Sequence, residues 1–192
     1  MASTYTTRNG IELISTGEQS GTWGDTTNVN LQIIDRALSG STTIALTGTA
    51  HTLTTTDGTL SEGMYRVLVL GGSPSGTNTI TIAPNDAQKM YLVQNNSGQA
   101  AIFTQGSGAS ITVPDGTSKI IYSDGAGAGA AVSDLTAALS MSSVAITGGS
   151  IIGITDLAVA DGGTGASTAA AARANLDVDP AGTAVALAIA LG

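Results

Sequence analysis

Between Val29 and Leu38 the apolar residues return at helical spacing. Val29, Ile33 and Ala37 form one row, and Leu31, Ile34 and Leu38 form the row beside it. With Thr26, Thr27 or Asn28 as N-cap and Gly40 as the stop, the spacing predicts a helix of about three turns. Upstream, Ser3 to Ser20 alternates weakly and contains Gly10 and Gly17, which reads as an extended arm that needs another surface for order.

From Ser41 onward the period shortens to that of strands. Eight are expected: Thr43 to Leu46, Thr52 to Thr55, Tyr65 to Leu70, Thr79 to Ala83, Met90 to Gln94, Ala101 to Thr104, Ser110 to Val113 and Lys119 to Tyr122. Turn residues such as Asp57-Gly58, Pro84-Asn85-Asp86, Asn95-Asn96-Ser97-Gly98 and Pro114-Asp115-Gly116 separate them. That cadence favours an antiparallel sandwich or barrel, because a parallel α/β sheet needs about 10 to 15 helical residues between strands. The run Gly125 to Ala130 reads as a flexible linker.

Beyond it, Val144 and Ile146, then Ile152 and Ile154, place apolar side chains two apart around Gly148-Gly149, as strands joined by a sharp bend do. Ser167 or Thr168 caps an Ala-rich helix through Leu176, and Asp179-Pro180 opens a second helical stretch. The sequence ends in an apolar repeat of Val185, Leu187, Ile189 and Leu191, too apolar to stand in water as either helix or strand. Copies of the chain are therefore expected to bury one another here, and the molecule is expected to continue past residue 192.

Three regions follow: an arm and helix over 1–40, a β-domain over 41–132, and an Ala- and Gly-rich element over 133–192. Composition sharpens the picture, since hydrophobic residues make up 42% of the 192-residue chain and charged ones only 10%. Thr, Ser, Asn and Gly must cover the surface, where an average domain uses roughly 25% charged residues. A net charge of −8 with 6 basic residues argues against nucleic acid as partner, since phosphate neutralisation takes clustered Lys and Arg. There is no cysteine for disulfides or thiolate metal sites. The apolar run Ala184 to Leu191 falls short of the ~18 residues of a membrane span, so membrane insertion is not expected.

Catalytic, cofactor and metal sites are not expected. His51 reads as an ordinary strand-edge histidine, with no Gly-x-Ser-x-Gly elbow to support nucleophilic catalysis. Asp57, Asp115 and Asp179 precede Gly or Pro, so turns and caps account for them better than a glycosidase pair or cation site does. Gly162-Gly163-Thr164-Gly165 lacks the Lys of a phosphate loop and reads as a tight turn. Trp23 is different: a lone Trp in a Gly- and Thr-rich arm suits an interface anchor.

The stretch Gly17 to Leu31, with its Trp23-Gly24 and Thr27-Asn28-Val29-Asn30-Leu31 pieces, followed by Ile34, Ala37 and Ser39-Gly40, resembles the N-terminal segment of tail fibres and related appendages of tailed bacteriophages, especially marine ones. Tyr91 to Gly98, and Ile111 to Gly116 leading to Tyr122 to Gly125, are similar to the β-domain that follows it in such proteins. Ile146 to Ile151 and Asp161 to Ala170 through Ala174-Asn175-Leu176 resemble a shaft element common to tail, side and head fibres. The resemblance implies a homotrimeric, non-enzymatic structural protein of the virion tail, attached by its N-terminus to the tail tube, adaptor or nozzle and projecting outward for host attachment. A host receptor would be met only through a distal part.

The expected fold is therefore mainly β: an N-terminal arm with a short helix, an antiparallel β-sandwich or barrel-like domain, and an intertwined trimeric shaft of strands and short helices. Trp23, Leu31, Ile34 and Leu38 are expected to dock on the virion. Val144, Ile146, Ile152, Ile154, Val185, Leu187, Ile189 and Leu191 are expected to line the trimer interface. A capsid head fibre or decoration protein, and a glycan-binding host-adhesion appendage, are the alternatives.

Overall fold

The structure, a computed structural model, describes residues 3–136, 159, 163–178 and 183–192. It divides into two compact units, 1–140 and 141–192. The first opens with a two-stranded hairpin of β1 (Thr4–Tyr5) and β2 (Glu12–Leu13), continues through helix α1 (Trp23–Ser39), and then enters nine strands. These are β3 (Ser41–Leu46), β4 (Ala50–Thr54), β5 (Val67–Gly72), β6 (Asn78–Ala83), β7 (Lys89–Asn95), β8 (Ala101–Thr104), β9 (Ile111–Val113), β10 (Ser118–Ser123) and β11 (Val132–Asp134).

All eight expected strands form, within a residue or two of their expected ends. Their pairing corrects the antiparallel expectation. β3, β5 and β7 run parallel to one another in a five-stranded sheet of order β11-β10-β7-β5-β3, while β4, β6 and β8 run parallel in a four-stranded sheet of order β4-β6-β8-β9. Within these two sheets the antiparallel pairs are β7 with β10, β10 with β11, and β8 with β9. Among the described residues neither sheet closes into a barrel.

The physical reason lies in the winding. Parallel neighbours need a long crossover, usually a helix. Here the crossover from β3 to β5 is β4, a strand of the other sheet, and the same alternation carries β5 through β6 to β7 and on to β8. Ser41 sits opposite Val67, and Val67 opposite Leu92, so one circuit spends about 25 residues. The fold is mainly β, as expected, but wound in circuits.

Inward side chains stack along these circuits. Leu68 lies opposite Val93, and Ile80 opposite Phe103, so each circuit lays an apolar layer on the last. The two sheets share one core of Ile44, Leu46, Leu53, Leu70, Ile82, Tyr91, Val113, Ile121 and their neighbours. Tyr91 and Phe103 are fully buried in it. Tyr122 instead stands half-buried on the outer face of its sheet.

Two turns that belong to separate stretches of sequence meet. The Asn95 side chain donates to the Gln99 and Val113 carbonyls at 2.8 and 2.9 Å and accepts from Ser97, while Gly98 N–H donates to Asp115 Oδ1 at 2.8 Å. Gly116 N–H closes the junction on the Asn95 carbonyl. The Asn95-Asn96-Ser97-Gly98 and Pro114-Asp115-Gly116 segments thus form one corner.

The run Gly125 to Ala130 is no free linker. Ser107 and Gly108 donate backbone N–H groups to the Ala128 and Ala130 carbonyls, and Asp124 Oδ1 accepts from Ala126 and Ala131. A Cβ on Gly106 would lie 2.7 Å from the Ala128 carbonyl oxygen, so Gly106 serves close backbone approach to the run. The run leads into β11, a strand the sequence reading does not anticipate.

In the second unit, Thr168 caps α2 (Ala169–Asn175) by accepting from Ala171 N–H at 3.2 Å, as expected. Asn175 Nδ2 donates back to the Thr164 and Gly165 carbonyls, which fixes the glycine turn against the helix. Helix α3 (Thr183–Leu191) follows. Val144, Ile146, Ile152, Ile154, Asp179 and Pro180 lie outside the described residues.

Candidate docking surfaces

Helix α1 begins earlier than the sequence predicts. Its N-cap is Thr22, so Trp23 is its first residue and the helix runs for 17 residues. Asp25 in the first turn and Arg36 in the last complement the helix dipole. The stop at Gly40 stands, for a different reason from the expected one. Gly40 has φ −68° and ψ 140°, which any residue adopts, but a Cβ there would lie 2.7 Å from Arg36 Cα and 2.8 Å from the Tyr65 ring.

At about 100° per residue the helix shows three faces. Ile33, with Asn30 and Ala37, turns to its own unit: Ile33 is buried, and the Asn30 amide both donates to the Glu12 carbonyl and accepts from Glu12 N–H, each at 2.9 Å. Asn28, Gln32, Asp35 and Ser39 make a polar face. Between them runs a stripe of Trp23, Thr27, Leu31, Ile34 and Leu38, in which the last three steps follow the 4-3-4 spacing of a helix-packing seam. Trp23 is 62% exposed, Leu31 58%, Ile34 39% and Leu38 70%. The structure therefore brings all four expected docking residues onto one accessible stripe, Trp23 included.

The arm expected to need another surface finds one on its own unit. Gly58 N–H donates to the Gly10 carbonyl at 2.7 Å, Arg8 reaches Gln88, and Lys89 reaches Asn9. Gln19 links the arm to the helix by bonding both Glu12 and Thr26.

Helix α3 has no polar face after Thr183. Val185, Leu187, Ile189 and Leu191 are all more than half exposed, and their spacing of two spreads them around the helix instead of along one side. A helix apolar on every side is normally buried on every side.

A third surface escapes the sequence reading. On the outer face of the five-stranded sheet, Ile120 lies opposite Leu92 and Leu92 opposite Val67, with Tyr122 opposite Met90. Leu92 and Met90 are more than a third exposed, and a shallow cleft of about 350 Å³ runs over Val67, Leu92 and Ile120, edged by Gln94, Ser118 and Thr136. The signal was present in the unbroken apolar runs Val67 to Leu70 and Met90 to Val93, which a strand with one wet face does not need.

His51 sits in β4, an edge strand of its sheet, half-buried, with Nε2 2.8 Å from Glu62 Oε2. Among the described residues no three His, Asp or Glu side chains gather as a metal site does. No helix among the described residues is long and apolar enough to cross a membrane. Compared with protein-family models, curated proteins and solved structures, the chain matches none.

Proposed function

We propose that this chain is a non-enzymatic structural component of a tailed-phage virion, the N-terminal part of a homotrimeric tail fibre that anchors to the tail and projects outward for host attachment. The observation that carries the reading is the presence of two exposed apolar helix surfaces in a chain with few charges: the α1 stripe of Trp23, Leu31, Ile34 and Leu38, and α3 with no polar side. Large exposed apolar patches mark interaction surfaces in soluble proteins.

The two helices take different roles. The α1 stripe is rigidly held by Ile33 and Asn30, and its Trp supplies the aromatic area that interface anchors use, so it docks on the tail tube, adaptor or nozzle. α3, only nine residues long, is below the length at which an isolated helix is stable in water, and copies of itself around a three-fold axis give it cover. Val144, Ile146, Ile152 and Ile154 join that interface in the proposal.

Sedimentation of the full chain tests the assembly: a trimer is expected, and a folded monomer of 18.8 kDa at micromolar concentration overturns it. Incorporation into particles tests the attachment. A chain carrying Trp23→Ser, Leu31→Ser and Leu38→Ser keeps its fold and trimer and fails to enter virions; normal incorporation overturns the docking role.

A further inference from the structure

Four of the six basic residues of this acidic chain, Arg8, Arg36, Arg66 and Lys89, gather where the N-terminal arm, the end of α1 and the start of β7 meet. Arg36 is occupied over the Tyr65 ring. The other three line one cavity of about 140 Å³, together with Asn9 and Gln88. Its lining contains no Asp or Glu. Asp86 lines an adjoining cleft beside Arg8, and Glu62, next to the cavity-lining Gly63, is paired with His51. Neither ion pair among the described residues involves Arg8, Arg66 or Lys89.

What holds Lys89 and Arg8 is neutral. Lys89 is only 7% exposed, and its Nζ donates to Asn9 Oδ1 at 2.6 Å. Arg8 donates Nε and Nη2 to Gln88 Oε1 at 2.9 and 2.6 Å. Amide oxygens orient an ammonium or a guanidinium without cancelling its charge, and each cation keeps further N–H donors, since Lys has three and Arg five. Burying an ammonium without a counter-charge is costly enough that natural proteins pair such groups. Burial indeed pushes the Lys89 ammonium down to about 8. Charge and spare donors thus converge on one small space, with Lys89 sheltered from water and Arg8 at the exposed rim.

We propose that this cavity binds a single small oxyanion, of the size of a carboxylate or a phosphate, between Arg8, Arg66 and Lys89. The volume sets the class: it is well under the roughly 300–1,000 Å³ of sites for drug-sized ligands, so it takes an anionic group and a few waters, not a saccharide. Two guanidinium forks suit the planar or tetrahedral oxygens of such groups. The site is independent of the docking stripe, and its test does not depend on the virion reading.

The test is titration of the full chain, ¹⁵N-labelled, with inorganic phosphate in one series and acetate in another, ionic strength held constant with sodium chloride. Saturable amide shifts at and beside Arg8, Arg66 and Lys89 are expected, with affinity reduced at least fivefold in both Arg66→Gln and Arg8→Gln. Tighter phosphate binding identifies a phosphate-bearing ligand, and acetate binding as tight or tighter identifies a carboxylate; either supports the site. Shifts that fail to saturate with both anions, or affinities unchanged in both variants, overturn it. Should a variant fail to fold, the titration of the natural chain still decides.

Discussion

The guanidinium of Arg36, in the last turn of α1, lies over the ring of Tyr65, 4.7 Å from its centroid. Tyr65 also stands where a Cβ on Gly40 would go, so one ring fixes both the end of the helix and the entry to β3. A cation over an aromatic face at a partly exposed site is worth about 0.5–1 kcal/mol. Arg36→Gln should lower the unfolding free energy by about that amount in urea titration and leave the strand signals of the far-ultraviolet spectrum unchanged.

Ile33 and Leu31 are two residues apart on α1 and have opposite fates. Ile33→Ala removes a fully buried side chain and should cost about 2–4 kcal/mol, whereas Leu31→Ala, on the 58%-exposed stripe, should stay within about 0.5 kcal/mol. Equal losses in denaturant melts of the unassembled chain would show that the helix lies differently on its domain.

Tyr91 is buried, and its hydroxyl donates to the Gly63 carbonyl at 2.8 Å. Burial holds its ionisation well above the ordinary tyrosine value. Tyr91→Phe keeps the packing and strands the carbonyl, at a cost of about 1–3 kcal/mol. Calorimetry of the variant checks it.

Gly106 has backbone of the Gly127 to Ala130 turn within 3.0 Å of where a Cβ would sit. Gly106→Ala must push that turn aside, and a loss of about 1–3 kcal/mol follows from overpacking. Proteolysis should cut within residues 125–130 of the variant and spare the natural chain there.

Lys89 ionises near 8 in the folded chain, against 10.5 for an unhindered lysine. Its folded value is depressed, so between these two pH values the unfolded state holds more protons and stability rises with pH. In phosphate-free buffer the natural chain should gain roughly 2 kcal/mol between pH 7.5 and 10 relative to Lys89→Met, which lacks the titration. A parallel course for the two proteins would place the ammonium in water.

The strands were legible because Thr, Val and Ile alternate between turns that announce themselves, and the corner of Asn95 and Asp115 uses residues already marked as turn formers. Their partners were not legible. A turn every ten residues or so says where a strand ends, and it is silent on whether Ser41 will face Ala50, its neighbour in sequence, or Val67, its neighbour in the sheet. The start of α1 was missed because Gly24 and three β-branched or polar residues at its head have poor helix propensity, and Trp23 gains its place only from the turn at Gln19 and Gly21 that precedes it. The row of Leu31, Ile34 and Leu38 is legible in the spacing, Trp23 joins it only because the helix starts earlier, and the cationic cavity joins Arg8, Arg66 and Lys89 from distant positions with no local pattern.

The winding of β3 through β8 also makes the length of this domain a counted quantity. Because each strand passes to the other sheet before returning beside its predecessor, adding or deleting one residue within a strand would turn the inward layer outward, as would any partial circuit. A whole circuit of about 25 residues is the smallest piece that keeps every layer in phase. Descendants of this chain should therefore differ in reach by whole circuits, with smaller insertions confined to the turns.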